Sequence, residues 1–508
     1  MDSTPEVTAV EKIATCIPGF DFIADGGLPK GRTVLLAGSA GSGKTIFATQ
    51  FLAEGIRESD ETGVFVTFEE QPTDIRRNIL SFGWDIAAWE EDGKWAFVDA
   101  SPDPSQELAV VGDYDLGALL ARIEHAVRRI GATRVVLDSI GAVFMHFPEG
   151  VRVRHELFRI ASALRDMGVT SIMTAERVEE YGEIARHRIE EFVADNVIIL
   201  RNVLEGEKRR RTIEILKFRG TTHHKGEYPF TVMPNDGVIV IPLSAMELKQ
   251  RSSDIRATSG NDQLDAMCGG GVFRDSIILV SGATGTGKTL MVTHFVDGGV
   301  AAGEKCLLFA YEESREQLGR NASGWGTDFD RLEAEGKLRV VCEYPESASL
   351  EDHLVHIKQH IDVFKPNRIA VDSLSALERI ATVRGFREFV LGLTSFTKHE
   401  EITGLFTSTT PTLTGGSSVT EAHISSITDT IVLLRYVELY GEMRRGVAVL
   451  KMRGSGHEKA IRELIIDSQG MHIGEPFRNV AGILAGNPMQ LEVSEMENLE
   501  RLFPEDNG

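Results

Sequence analysis

The chain has 508 residues, a formal net charge of −22 and 42% apolar side chains, which suits two to four domains with full-sized cores. Such acidity argues against a protein that mainly coats nucleic acid, because phosphate binding needs a basic surface able to displace counterions. No apolar run approaches a membrane span, the acidic, proline-containing N-terminus is unlike a signal peptide, and Cys16, Cys268, Cys306 and Cys342 lack metal or disulfide-framework spacing, so the sequence reads as soluble and cytoplasmic.

In chain order, a short buried strand is expected over Arg32–Ala37, and Gly38-Ser39-Ala40-Gly41-Ser42-Gly43-Lys44-Thr45 follows it. Glycines at this spacing let backbone N–H groups of Gly41, Ser42 and Gly43 approach phosphates. Lys44 then reaches the β- and γ-phosphates, the Thr45 hydroxyl ligates Mg²⁺, and the dipole of an amphipathic helix behind the loop adds to the anion site. Further strands are expected at Gly63–Phe68, Arg134–Asp138, Thr170–Ala175 and Val197–Leu200. Arg154–Met167 has Leu157, Ile160, Ala161 and Leu164 at helical spacing. The run Lys208-Arg209-Arg210-Arg211, between strand-like Asn196–Val203 and Arg211–Phe218, reads as a solvated hairpin turn.

The second half repeats the first. Gly282-Ala283-Thr284-Gly285-Thr286-Gly287-Lys288-Thr289 places Lys288 at an offset of 288 − 44 = 244 from Lys44. Glu69-Glu70 match Glu312-Glu313 at 243, and Asp138 and Lys217 match Asp372 and Lys451 at 234. Strands are expected at Ile277–Val280, Cys306–Tyr311, Arg368–Asp372, Gly404–Thr407 and Thr430–Leu434. The chain therefore reads as α/β, with two tandem P-loop domains, each a mostly parallel twisted sheet flanked by helices. The join falls near Pro242–Ser259, which divides the chain into 1–245, 246–485 and a C-terminal loop with an acidic tail, 486–508.

Asp138 and Asp372 each close an apolar strand, where a P-loop enzyme places the acid on the Mg²⁺ side. The pairs Glu69-Glu70 and Glu312-Glu313 end the next strand, at the carboxyl edge that faces the ligand crevice, where adjacent carboxylates can polarise a water or a hydroxyl. Lys217-Phe218-Arg219 and Lys451-Met452-Arg453, with His223 and His457, are matched basic strand ends. They fit a surface position or a phosphate clamp from a neighbouring subunit. One segment breaks the symmetry. Residues 411–429, equated with 177–195, carry Thr420, Ser425 and Ser426 where the first half has Arg186, Glu191 and Phe192, which suggests water as nucleophile in the first site and a side-chain hydroxyl in the second.

The duplicated P-loop, the paired glutamates, Asp99-Ala100-Ser101-Pro102-Asp103-Pro104, Lys225-Gly226-Glu227-Tyr228-Pro229-Phe230, Met267-Cys268-Gly269-Gly270-Gly271 and His423-Ile424-Ser425-Ser426-Ile427-Thr428-Asp429-Thr430 together resemble the KaiC family of RecA-like circadian clock ATPases and autokinases. The likeness runs from about residue 10 to about residue 495. It implies tandem RecA-like domains in a double-ring homo-hexamer with ATP and Mg²⁺ at subunit interfaces. The first domain would hydrolyse ATP slowly, with Glu69 or Glu70 activating water. The second would phosphorylate Ser425 and Ser426 of the adjacent subunit, with Glu312 as base and Thr420 as a third hydroxyl. Lys217, Arg219, His223, Lys451, Arg453, His457 and Arg445 would reach a neighbour's nucleotide.

The resemblance also implies a KaiB-like partner near Asp103–Leu116 and a gating loop at Gly486–Glu495. Two departures stand out. The acceptor pair is Ser-Ser where the family's best-known form has Ser-Thr, and the tail beyond Glu495 diverges from the segment that binds the KaiA activator there, so the likeness does not extend KaiA binding to this chain. Two other functions use the same fold: a nucleic-acid motor, which the net charge of −22 opposes, and a nucleotide-gated scaffold without phosphoserine.

Overall fold

The computed structural model describes residues 10–101, 116–141, 150–182, 194–242, 253–410, 424, 427–468, 470–478, 480–483 and 489–490. The chain divides into two compact units, Met1–Ala245 and Met246–Gly508. The hydroxyl segment with Thr420, Ser425 and Ser426, most of the Asp103–Leu116 loop, its counterpart with Arg186, Glu191 and Phe192, and the acidic tail lie outside the described residues.

In the first unit, β1 (Thr33–Gly38) leads through the glycine loop into α1 (Lys44–Ser59). Then come β2 (Gly63–Thr67), β3 (Trp95–Asp99), α2 (Leu116–Ile130), β4 (Arg134–Asp138), α3 (Gly150–Asp166), β5 (Thr170–Glu176), β6 (Asn196–Glu205), β7 (Lys208–Phe218), β8 (Glu227–Met233) and β9 (Gly237–Val240). Among the described residues they form one nine-stranded sheet of order β9-β8-β7-β6-β1-β5-β4-β2-β3. The six strands from β6 to β3 run parallel, and β7, β8 and β9 add antiparallel pairs. Val34, Leu35, Leu36 and Ala37 of β1 are fully buried, as expected of a central parallel strand covered on both faces.

The second unit repeats this with β10 (Ile277–Gly282), α4 (Lys288–Ala301), β11 (Cys306–Ala310), α5 (Arg315–Gly324), β12 (Leu338–Cys342), α6 (Leu350–Phe364), β13 (Arg368–Asp372), α7 (Val383–His399), β14 (Thr403–Thr409), β15 (Thr430–Leu439), β16 (Glu442–Met452), β17 (Arg462–Asp467) and β18 (Gly470–Pro476). Its order is β12-β11-β13-β14-β10-β15-β16-β17-β18. These are the two RecA-like α/β domains expected from the repeat. The edge strands β3 and β12 and the strands β8, β9, β17 and β18 add to those expected from sequence; each mixes polar residues or glycine with its apolar ones.

Three local expectations are corrected. The helices behind the loops are not amphipathic: ten consecutive residues of α1, Phe47–Ile56, are buried. Helix α1 lies against the parallel strands on one side and β9 on the other, where Gln50 donates to Asp236 O at 2.9 Å and accepts from Val238 N–H at 2.7 Å. The hairpin turn is Gly206-Glu207 with Gly206 at φ +64°, so Lys208–Arg211 belong to β7 itself. Finally, β5 and β14 align Thr170 with Thr403, an offset of 403 − 170 = 233, and both Arg177 N–H and Thr410 N–H donate to the glycine opening the loop (Gly38 and Gly282). Arg177 thus stands where Thr410 does, one residue away from the equivalence read from sequence.

Each acid-bearing strand begins with a buried arginine. Arg134 is 1% exposed, pairs with Glu61, donates to Phe51 O at 2.7 Å and Ala14 O at 2.8 Å, and lies over the Phe51 ring. Arg368 does the same with Glu304, Thr258 O, Phe295 O and the Phe295 ring. The helix above must leave room: a Cβ on Gly55 would lie 2.5 Å from Arg134 Nε, and one on Gly299 2.7 Å from Arg368 Cδ. These anchors hold β4 and β13 so that Asp138 and Asp372 emerge beside the loops.

Candidate active sites

Both loops turn into their helix through a glycine with left-handed backbone, Gly43 at φ +95° and Gly287 at φ +108°, a conformation open to glycine at little cost. Lys44 Nζ donates to Gly38 O and Ser39 O, both at 2.9 Å, and Lys288 Nζ donates to Gly282 O and Ala283 O, both at 3.0 Å. Burial lowers both ammonium pKa values. Among the described residues it is opposed around Lys44 by Glu176, Asp138, Glu69 and Glu180, and around Lys288 by Asp372 and Glu312.

The strand ends bring the acids to the same edge. Thr174 and Thr407 hydroxyls donate to Asp138 and Asp372. Thr289 Oγ1 also donates to Asp372 Oδ2 at 2.7 Å. A hydroxyl and a carboxylate this close form a hard oxygen donor set of the kind Mg²⁺ prefers, so these residues fit the ion. Glu69 accepts from Ser139 Oγ at 3.2 Å; burial raises its carboxyl pKa, and the charges of Glu176 and Asp138 add to the rise. Asn78 donates to Glu70 at 3.2 Å and Asn321 to Glu313 at 3.0 Å. Burial, then Asp372, raises Glu313, while Glu312 lies 3.5 Å from Arg379.

The basic strand ends are elsewhere. β6 enters the sheet beside Val34, at the start of β1, and β7 returns with Phe218 opposite Asn196. Lys217, Arg219 and His223 therefore lie at the end of the sheet opposite their own loop, roughly 13 Å of strand away. Lys217 donates to Ala194 O at 2.9 Å and Lys451 to Thr428 O at 2.8 Å; Arg219 and Arg453, each one residue beyond its strand, face Asp195 at 3.6 Å and Asp429 at 3.8 Å. His457 lies beyond the end of β16. His223 meets the Phe218 ring, and the neighbouring His224 stacks on Phe22.

Arg445, grouped in sequence with these residues, sits at the other end of β16, its Nε 3.2 Å from Gly285 O of its own loop. Its counterpart Arg211, passed over as part of a turn, donates to Gly41 O at 3.4 Å. The equal offset, 445 − 211 = 234, was the signal that could have found it. Also missed were Glu176, opposite Gly38 in the β1–β5 ladder, and Glu180, which accepts from Ser39 Oγ at 2.5 Å.

The sequence model of a family described as "ATPase: KaiC" matches residues 13–245 and again 257–477, one match to each unit. The chain belongs to the KaiC family. Among its relatives, the circadian clock protein KaiC3 of Synechocystis is 68% identical over 500 residues, 98% of this chain and 99% of that protein. The circadian clock oscillator proteins KaiC of Thermostichus vulcanus and Synechococcus elongatus are 58% and 55% identical, over 97% and 99% of this chain and 95% and 96% of their own lengths. The protein is thus a KaiC-like clock ATPase built from two RecA-like domains. Among the described residues, no helix is long and apolar enough to cross a membrane.

Proposed function

We propose that the two sites use ATP differently: the first hydrolyses it, and the second phosphorylates Ser425 and Ser426 of an adjacent subunit and later removes the phosphate, as part of a timing cycle. The observation that carries this reading is the duplicated set of loop lysine, strand-end aspartate and glutamate pair, combined with hydroxyls in only one repeat. Gly41, Ser42, Gly43 and Lys44, and Gly285, Thr286, Gly287 and Lys288, cradle the phosphates; Thr45 with Asp138 and Thr289 with Asp372 hold Mg²⁺. The ion supplies charge neutralisation at the transferred phosphoryl group. Glu69 or Glu70 orients and deprotonates water in the first site, and Glu312 takes the hydroxyl proton in the second.

Lys217, Arg219, His223, Lys451, Arg453 and His457 act on a neighbour's nucleotide. Their position a strand's length from their own loop supports this, and it makes a homo-hexameric ring the working assembly. A KaiB-like partner docks near Asp103–Leu116, the loop 486–495 regulates the second site, and the protein works in the cytoplasm.

The test is mass spectrometry of the peptide Thr420–Thr430 after incubation with ATP and Mg²⁺, beside Lys288→Ala and Glu312→Ala/Glu313→Ala variants. Phosphate on Ser425 or Ser426 that disappears in the variants is the expected result. An unmodified peptide with normal ATP turnover would overturn the kinase assignment and leave a nucleotide-gated scaffold.

A further inference from the structure

At the end of each sheet remote from its loop, one aspartate gathers cations from different elements. Asp195 and Asp429 stand at matched positions, 429 − 195 = 234, each just before the strand (β6 or β15) that pairs with the loop strand. A helix supplies the tight partner: Arg165 Nη2 lies 2.6 Å from Asp195 Oδ2, and Lys398 Nζ lies 2.8 Å from Asp429 Oδ2. These two cations are matched as well, 398 − 165 = 233, in the last turns of α3 and α7. Asp429 is fixed further by Ile277, at the start of β10, whose N–H donates to Oδ2 at 2.9 Å.

The second cation on each aspartate is held loosely. Arg219 Nη1 lies 3.6 Å from Asp195 Oδ1 and Arg453 Nη1 lies 3.8 Å from Asp429 Oδ1, with side chains 54% and 52% exposed. Their backbones are tied down: Arg219 N–H donates to Asn196 Oδ1 at 3.3 Å, and Arg453 N–H to Asp429 O at 2.9 Å. Lys217 and Lys451 donate to the carbonyls one residue earlier, Ala194 O and Thr428 O. Burial lowers the Lys451 pKa and Arg453 adds to the fall, while Asp429 opposes it and helps to keep the ammonium charged.

The two bond lengths have different consequences. The Asp195 side chain is only 8% exposed, and stripping a buried carboxylate of its partners is strongly destabilising. With the helix cation at hydrogen-bond distance, the arginine can turn away and the carboxylate stays paired. The arrangement therefore aims an arginine outward from a fixed backbone and leaves it free to change partner.

We propose that Asp195 and Asp429 are positioning residues for the arginines that reach a neighbour's ATP. Each carboxylate orients its loosely bound arginine, and Arg165 or Lys398 lets that arginine leave for the phosphates without stranding a buried charge. Neither aspartate touches the nucleotide. This inference rests on the reading that Arg219 and Arg453 act on the adjacent subunit.

Asp195→Asn keeps the size and an acceptor oxygen, and ATP turnover of the full-length protein tests it. The variant is expected to lower kcat about tenfold with KM changed less than about twofold, and to add no further loss to Arg219→Ala. Mixed in equal amounts with Lys44→Ala before assembly, it should recover about a quarter of wild-type turnover, because one interface in about four then joins an intact loop to an intact aspartate. An aspartate serving only its own nucleotide, or only the fold, would leave about a twentieth. Wild-type turnover in Asp195→Asn, an additive loss in the double variant, or a mixture that does not recover would overturn the proposal. Arg219→Ala mixed with Lys44→Ala tells the two failures apart: if it recovers and the Asp195→Asn mixture does not, only the positioning role falls, and if neither recovers, the action across subunits falls with it. Should Asp195→Asn not fold, Asp429→Asn mixed with Lys288→Ala gives the same test, with phosphate expected on the Thr420–Thr430 peptide that carries Asp429.

Discussion

The two loops hold their lysines by the same pair of carbonyl bonds, yet the lysines face different fields. Among the described residues, four carboxylates act on Lys44 and two on Lys288. The difference traces to few positions. At the end of the strand beside the loop, Glu176 in the first unit stands where Thr409 does in the second, and Ser39, which ties Glu180 to the loop, stands where Ala283 does. A duplicated backbone can thus be given a distinct local charge by changing side chains at strand ends, without changing the ladder that positions them.

The harshest way to break this comparison is to remove each lysine. Lys44→Ala is expected to lower bulk ATP hydrolysis by roughly 10²–10³-fold and Lys288→Ala to abolish phosphate on the Thr420–Thr430 peptide, each loss falling on its own site. Parallel turnover and phosphopeptide assays check it; a swapped pattern would mean that the assignments of the two sites are reversed.

The buried arginines test the scaffold beneath. Arg368→Met leaves Glu304, whose side chain is 9% exposed, without its main partner and is expected to cost about 3–5 kcal/mol. Arg134→Met should cost roughly half as much, because Glu61 is 26% exposed and stays hydrated. Urea unfolding of the two variants measures the ordering.

Exchanging the strand-end residue sharpens the contrast in charge. Burial and then Glu176 raise the Glu69 pKa, and a base with a raised pKa gains activity only as pH climbs through that value. Glu176→Thr removes one negative neighbour, so the acid limb of the first-site pH–rate profile should move to lower pH. The smallest effect is expected from Ser39→Ala, which frees Glu180 from the loop and should speed ATP release about threefold, as stopped-flow with a fluorescent nucleotide would show.

Much of this was legible beforehand. Equal spacing marked the loops, Asp138 with Asp372 and both glutamate pairs as matched positions, and in both units the strand ends carry them to the edge where the loop lies. Composition hid other elements: β3 and β12 are five-residue edge strands, and the basic start of β7 looks like a solvated turn until its register is known.

The sequence by itself determined the domain count, the α/β class, the phosphate loops and the family, since each is written in local pattern or in its repetition. The tertiary structure alone decided that Lys217 and Arg219 lie at the end of the sheet remote from their loop while Arg211 and Arg445 touch theirs. It alone showed that Glu176 faces Lys44, and that Arg165 and Arg219 meet on Asp195 as Lys398 and Arg453 do on Asp429. Those facts depend on strand direction and register, which bring together residues far apart in the chain and which no spacing along it encodes.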